Sequence, residues 1–477
     1  MTDIERGMAI ETAAETYHRL SSYSADRPWL VPVDDPRARQ DFIPLLREST
    51  PAALKRYARE LPRVVLPDPA APATGAAALL AAADAGSRAD RAVRLDELAA
   101  ILALSAGPKA GVGASATFRA AGSAGNRHPY EVYVTARGIA GLPDGVWRYE
   151  PGALALVGPA ARGETTAVVI TGLPWRSCWR YAERGYRHVG WDCGTVACHV
   201  VTAAAACGLP ARLLTAFDDA AVAGLVGALP GEEAPMCVVA LGAGEPALEP
   251  GGAAEPGLPD PTVESFPLVG EVHAAGTLDG PGAVEAWRRG HPSRPAVRDP
   301  LVPDPVRGWT IADLVRRRAS ARRLDPAAVV PIDAARWLIE LAAAALPWDA
   351  GDLHEARAVV HAVAGLEPGV HVLRGGDLVR TGPAERDRTF RAGLSQEQAR
   401  DAALLIFLTP APGPGVAPEA RSYRAGLLGA GFVLGRIYLA AAALGLGCTG
   451  LTFVDSQLPE TIGAEQALGL VAVCGRR

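Results

Sequence analysis

Two segments carry the longest apolar runs in the chain. Residues 184–218 read RGYRHVGWDCGTVACHVVTAAAACGLPARLLTAFD, and residues 421–455 read RSYRAGLLGAGFVLGRIYLAAAALGLGCTGLTFVD. Each opens on a Tyr-Arg pair, continues through small and apolar residues, and stops at a glycine, Gly208 or Gly445. This pattern predicts a long buried helix with a C-terminal glycine stop. A short strand, an aspartate and a final apolar strand (236–241 and 468–474) follow in both. Aligned without gaps at an offset of 237, the segments match at 14 of 35 positions, including Arg184/Arg421, Tyr186/Tyr423, Arg187/Arg424, Gly194/Gly431 and Asp218/Asp455. So long a period excludes a solenoid and predicts a duplicated domain. Upstream, Gly145-Val146-Trp147 pairs with Gly369-Val370-His371, and each copy starts with an Arg-rich turn before a helix, in 87–102 and 316–330.

Two regions lie outside the repeat. The N-terminal part contains ETYHRL (15–20) and ALKRYARELPRVVLP (53–67), the latter predicting a short amphipathic helix and then a strand-like run. Residues 248–300, rich in Gly, Pro and acidic residues, read as a connector. The expected organisation is an extension (1–75), a first domain (76–247), a linker (248–300) and a second domain (301–477).

Composition narrows the function classes. The chain has 477 residues, 49% hydrophobic and 21% charged, which excludes wholesale disorder. A net charge of −5 argues against a dedicated nucleic-acid binder. Seven cysteines without a CxxC pair, and the polar start MTDIERG, point to a cytosolic protein with reduced thiols. Residues 426–454 are apolar except for Arg436 and long enough to be taken for a membrane span. Their glycines, the central arginine and the matching segment in the first half favour a buried helix and strand. Only Lys55 and Lys109 are lysines, so a lysine-dependent mechanism has two candidates.

Four constellations could carry chemistry. Arg318-x-Ser320-x-Arg322 offers two guanidiniums and a hydroxyl at an expected helix entrance, a donor set for a phosphate ester. The same residues would also suit a solvated basic turn. Ser123-Ala124-Gly125-Asn126 is a small-residue loop before a strand; it lets backbone approach a flat ring, or is an ordinary turn. Tyr181 follows Arg180, and a tyrosine beside a cation can act as general acid or base with a lowered pKa, or simply pack at an interface. His188, Cys193, Cys198 and His199 match no zinc spacing and read as core. GxGxxG after a strand, GxxxxGK[ST], HExxH and GxSxG are all absent, which leaves classical nicotinamide, P-loop, zincin and α/β-hydrolase chemistry unsupported.

Together, FRAAGSAGNRHPYEVYV (118–134), GVWRYEP (145–151), RYAERGYRHVGWDCG (180–194) and AAAACGLPARLLTAFDD (203–219) resemble the nitroreductase-like flavoproteins, most closely the SagB-type dehydrogenases. The resemblance covers roughly 10–247 well, with 301–477 as a more divergent copy. It implies an α+β fold that binds FMN at a dimer interface, where the RxSxR turn and a basic C-terminal tail of one subunit's copy hold the phosphate. The small-residue loop would come from the other copy.

The two copies depart from that pattern in complementary ways. The second keeps Arg318, Ser320, Arg322 and a basic tail with Arg476, but its loop reads Pro347-Trp348-Asp349-Ala350-Gly351. The first keeps Ser123, Ala124, Gly125 and Asn126 but has Ala89 where the serine is expected. The expectation is an intrachain pseudo-dimer with one FMN, Thr452 near its ring, and a vestigial twin site.

The resemblance also implies dehydrogenation of thiazoline or oxazoline rings in a ribosomally made peptide, with a cyclodehydratase as partner. Its usual catalytic Lys-Tyr pair is here Arg180-Tyr181, leaving Tyr181 as the expected base. Two other functions stay open on sequence alone: an NAD(P)H-dependent nitro- or quinone-type reductase, and a non-catalytic scaffold subunit. Further association into homo-oligomers is also left open.

Overall fold

The computed structural model describes residues 11–26, 50–69, 91–109, 118–292, 303, 308–411 and 419–474. Arg476 and the turn residues Arg88 and Ala89 lie outside them.

The first half contains α1 (Ala13–Leu20), β1 (Arg63–Val65), α2 (Leu95–Ser105), β2 (Tyr130–Ala136), β3 (Gly145–Glu150), β4 (Ala153–Gly158) and β5 (Thr166–Gly172). It continues with α3 (Trp175–Tyr181), α4 (Gly185–Ala206), β6 (Ala211–Leu214), α5 (Asp219–Val226) and β7 (Ala234–Leu241). Helices α6 (Pro267–Ala275) and α7 (Gly280–Gly290) follow. The second half has α8 (Ile311–Arg317), α9 (Ile332–Ala343), β8 (His354–Val360), β9 (Gly369–Arg374), β10 (Asp377–Gly382), α10 (Arg386–Ala392) and α11 (Glu397–Asp401). It ends with β11 (Leu404–Pro410), α12 (Ala420–Ala443), β12 (Gly447–Leu451), α13 (Leu458–Ile462) and β13 (Gly469–Cys474).

Two antiparallel sheets repeat one order. The first runs β1-β4-β3-β2-β5-β7-β6 and the second β10-β9-β8-β11-β13-β12, so β1 is an added edge strand and the rest correspond one to one. Central strands such as β2, β5 and β11 are buried along nearly their whole length, which explains their continuous Val, Ile and Leu runs.

The long helices α4 and α12 lie between the sheets and against each other, fully buried. Alanine and glycine let their backbones approach closely. A Cβ on Gly194 would stand 2.0 Å from the carbonyl oxygen of Leu428, and one on Gly431 2.1 Å from that of Trp191. Among the described residues, helix α12 alone is long and apolar enough to cross a membrane, and it is buried throughout. Its Arg436 donates to the Leu341 carbonyl at 3.1 Å. Gly208 and Gly445 follow the helix ends at φ +74° and +71°, the left-handed stop that the pattern predicts.

The Tyr-Arg pairs close the interface reciprocally. Arg184 and Arg187 at the start of α4 hold Asp455 of the second half at 2.6 and 2.7 Å. Arg421 and Arg424 at the start of α12 hold Asp219 of the first half at 2.5 and 2.7 Å. The gapless alignment pairs Asp455 with Asp218, but Asp218 instead caps α5, accepting from the Ala221 N–H at 2.9 Å. The clamp has slipped by one residue because the cap competes for the same turn.

Two expectations are corrected. The amphipathic helix within 53–67 is absent: residues 53–62 run irregularly, and only Arg63–Val65 is regular, as strand β1. Lys55 there is buried, its Nζ bonded to Tyr133 Oη (3.0 Å), the Gly227 carbonyl (2.8 Å) and Glu233 (2.7 Å), and a surface helix could not make those bonds. The connector is also more ordered than its Gly and Pro content suggests. It holds α6 and α7, and His273 of α6 lies 3.0 Å from Tyr186 Oη and 3.1 Å from an Arg424 nitrogen.

Candidate active site

The site is built on one stripe of α4. His188, Trp191, Asp192 and Thr195 recur at helical spacing and line a cavity of about 260 Å³. The loop Gly122–Gly125 of the first half closes one side; Ser320, Leu434, Tyr438 and residues 449–452 of the second half close the other. Both halves are therefore needed to form it. Its volume is near the lower end of the ~300–1,000 Å³ of small-molecule sites.

Arg318 stands behind this cavity. Its Nε donates to the Ala120 carbonyl at 2.9 Å, and its guanidinium lies 5.7 Å from the Tyr438 ring centre. A Cβ on Gly122 would be 3.2 Å from Arg318 Nη1. The side chain is buried, and among the described residues no carboxylate pairs with it. Burial lowers its pKa, with only Tyr438, Tyr130 and Cys448 acting against that. Lys109 of the first half donates its Nζ to the Arg318 carbonyl, so this turn is clipped to the other half in both directions. By contrast Arg91, from the corresponding turn of the first half, is paired with Glu97 at 2.6 Å.

Ser320 Oγ lies 3.1 Å from Tyr438 Oη, which accepts from the Gly450 N–H at 2.5 Å. Residue 320 pairs with Cys448 beside β12 and follows the C-terminal end of α8. After Arg317 the next helix opens only at Ile332, so the helix N-terminus expected to assist the RxSxR turn is absent. Arg322 is exposed, and its carbonyl accepts from Gln398 at 2.7 Å; it is not among the residues lining the cavity. Thr452 lines the cavity, its Oγ1 held by Arg184 Nε at 3.0 Å.

The loop turns through left-handed backbone at Gly125 and Asn126 (φ +57° and +59°). Ser123 Oγ donates to Asp192 at 2.5 Å, and the Ala124 N–H lies 3.1 Å from the same carboxylate. Asn126 Oδ1 turns away to His128 Nε2 at 2.9 Å. At Gly125 a Cβ would sit 2.7 Å from Tyr181 Oη, so both the backbone conformation and the space favour glycine here.

Tyr181 does not line the cavity. It lies behind the loop and stacks on His188 with ring centres 4.0 Å apart. Burial pushes its pKa up to about 12, more than Arg180 offsets, so the lowered pKa expected of a base beside a cation is not found. Arg180 is exposed, 5.9 Å from the Tyr181 ring centre. The four candidate metal residues disperse: Cys193 meets the Thr171 carbonyl, His199 the Leu104 carbonyl, Cys198 faces Thr202, and His188 faces the cavity. His188 is buried with neither ring nitrogen bonded, and burial drives its pKa well below the usual range. In the sequence, only the helical spacing of His188 and Asp192 on α4 marks them for this site.

The pseudo-equivalent place in the other orientation is filled. Gly429 stands where α4 has Asp192, and a Cβ there would be 2.6 Å from the Trp348 indole. Asp349 takes the N–H of Thr215 (2.6 Å), the Thr215 hydroxyl (2.9 Å) and the N–H of Ala216 (3.0 Å). Thr215 is the counterpart of Thr452, where no carboxylate enters among the described residues.

No protein-family model matches the chain, and no curated protein matches its sequence. Among solved structures, it is similar to a protein from Anabaena variabilis described as a nitroreductase, at TM-score 0.73 and 22% identity, covering 98% of this chain and 100% of that one. The chain therefore has the nitroreductase fold. A Ralstonia eutropha protein of the same description matches 40% of this chain and 93% of its own at TM-score 0.32 and 21% identity. The Escherichia coli microcin synthetase McbBCD complex with truncated pro-MccB17 bound matches 32% of this chain and 65% of its own at TM-score 0.28 and 20% identity. Neither of these two scores supports an argument about this chain.

Proposed function

We propose that the chain is an FMN-dependent dehydrogenase that oxidises thiazoline or oxazoline rings of a ribosomally made peptide to thiazoles or oxazoles. The observation that carries the flavin is Arg318, a buried guanidinium without a carboxylate partner among the described residues, set behind a cavity that both halves line. A buried cation of this kind fits a phosphate. The rest of the donor set fits a flat, polar ring. Small residues 122–125 allow close approach, the edge 449–452 faces them, and His188 offers two unbonded ring nitrogens.

In this reading Arg318 and Ser320 hold the phosphate, and Arg322 and Arg476 add positive charge for it. Ser123, Ala124, Gly125 and Asn126 shape the ring's other face, and Thr452 is fixed toward it by Arg184. When bound, the flavin supplies the two-electron oxidation. Arg180 gives positive charge at the outer edge of the loop, and Tyr181 positions His188 by stacking. Trp348 over Gly429 and Asp349 on Thr215 occupy the pseudo-equivalent place, which supports a single flavin per chain. The peptide and azoline parts of the reading rest on the motif resemblance, which also suggests a cyclodehydratase as partner.

The test is the visible spectrum with flavin quantification, followed by incubation with an azoline peptide in air. One FMN per chain and loss of two hydrogens from each ring are expected. Two FMN per chain, or a colourless protein that takes up no FMN, overturns the site. A yellow protein that NAD(P)H bleaches rapidly while azolines stay intact overturns the substrate.

A further inference from the structure

Asp192 has no assigned task in the reading above, although it is the carboxylate lining the cavity. It is buried on the cavity stripe of α4, held by the Ser123 hydroxyl at 2.5 Å and the Ala124 N–H at 3.1 Å. The titratable groups around it are Tyr181 of α3, Tyr130 of β2, and His188 and Cys193 of its own helix. All four are neutral near pH 7: burial pushes both tyrosines up to about 12, raises the thiol and lowers the histidine. No cation pairs with Asp192 among the described residues, and burial raises its own pKa to about 7 against the pull of Ser123 and Ala124. The second copy carries Gly429 at the matching place, so the helix pair has no structural need for an acid there.

We infer that Asp192 is the proton acceptor of the oxidation, a catalytic residue meeting the substrate ring inside the cavity, with Ser123 and Ala124 orienting its carboxylate. This rests on the flavin dehydrogenase reading. One ring C–H bond breaks with its electron pair leaving as hydride to the oxidised flavin. The adjacent C–H loses its proton to an Asp192 oxygen, and the electrons of that bond form the ring double bond. The substrate is oxidised by two electrons, the flavin is reduced by two, and the carboxylate becomes a carboxylic acid. Tyr181 is the weaker candidate, because it sits behind Gly125 and holds its proton too tightly.

The test uses the FMN-loaded full chain and Asp192→Asn, which keeps an oxygen acceptor for the loop. Without substrate, the bound-flavin spectrum is titrated with pH; with an azoline peptide, the pH–rate profile is recorded. The expected result is a spectral change in the wild type with a midpoint near neutrality, absent in Asp192→Asn, and a rate lowered at least ~100-fold in the variant. Azoline oxidation at wild-type rate and pH dependence in Asp192→Asn overturns the inference. A wild type that oxidises no azoline, yet shows a spectral midpoint lost in Asp192→Asn, overturns the substrate reading while upholding an ionising Asp192 against the flavin. Carboxyl infrared bands of the ¹³C-aspartate-labelled wild-type holoprotein need no folded variant. A buried protonated carboxyl that disappears through the same midpoint supports the inference, and its absence overturns it.

Discussion

Asp455→Asn tests what holds the two halves together. Its carboxylate accepts from Arg184 at 2.6 Å, from Arg187 at 2.7 Å and from the Tyr23 N–H at 2.9 Å, and both arginine side chains are wholly buried. Removing one partner of a buried pair costs about 3–5 kcal/mol, because the surviving charge stays out of water. Here two cations would be left, so a loss of about 5 kcal/mol is expected. Urea unfolding of the full chain at pH 7 measures it, with Glu249→Gln of the exposed Arg162 pair as a control within about 0.5 kcal/mol. The pH dependence adds a second check. Burial alone would raise the Asp455 pKa, but Arg184 and Arg187 outweigh it and hold the carboxyl well below the ordinary range. Its stabilising contribution is therefore complete above the unfolded value of about 3.9 and is lost as pH falls toward the folded value. The wild type should lose more stability than Asp455→Asn on acidification below about pH 4. A loss under about 1 kcal/mol at pH 7, or identical acid profiles, would refute the clamp.

Four further outcomes follow from the same geometry. Arg318→Gln should retain at least ~10-fold less flavin after gel filtration than Arg322→Gln, because only residue 318 is buried beside the cavity. Gly194→Ala places a methyl group 2.0 Å from a backbone oxygen that cannot rotate away, and should cost at least the upper end of the ~1–3 kcal/mol of overpacking, read by urea midpoint. Trp348→Ala should cost about 3–5 kcal/mol and open a void over Gly429, visible by crystallography. In the apoprotein, Asp192 has a pKa raised by burial to about 7, so its protonated form favours folding. The stability difference between wild type and Asp192→Asn should therefore shift against the wild type by up to about 4 kcal/mol between pH 4 and pH 8, and equal pH profiles would refute it.

Much of the architecture could be read from the chain because it depends on local pattern. The paired helices, their glycine stops and the strands beginning at Gly145 and Gly369 follow from runs and turns that need no tertiary information. What escaped depends on partners distant in sequence. Lys55 leaves a surface-helix pattern because Glu233 and Tyr133 wait for it in the interior. Asp219 displaces Asp218 from the clamp because a helix cap competes one residue earlier. Arg318 and Arg322 look equivalent in sequence, yet one is buried against the other half and the other faces solvent. Asp192 looks like a stray acid on an apolar helix until the Ser123 loop is folded onto it.

The continuous chain through α6 and α7 has a consequence for how this protein responds to dilution. In a symmetric homodimer, a site lined by both subunits disappears when the subunits part, and every substitution is applied twice. Here the Ser123 loop and the Arg318 turn belong to one polypeptide, so the site forms by a first-order process whose extent does not depend on protein concentration. Each half can also change alone, which lets an acid stand at 192 while 429 stays glycine under an indole.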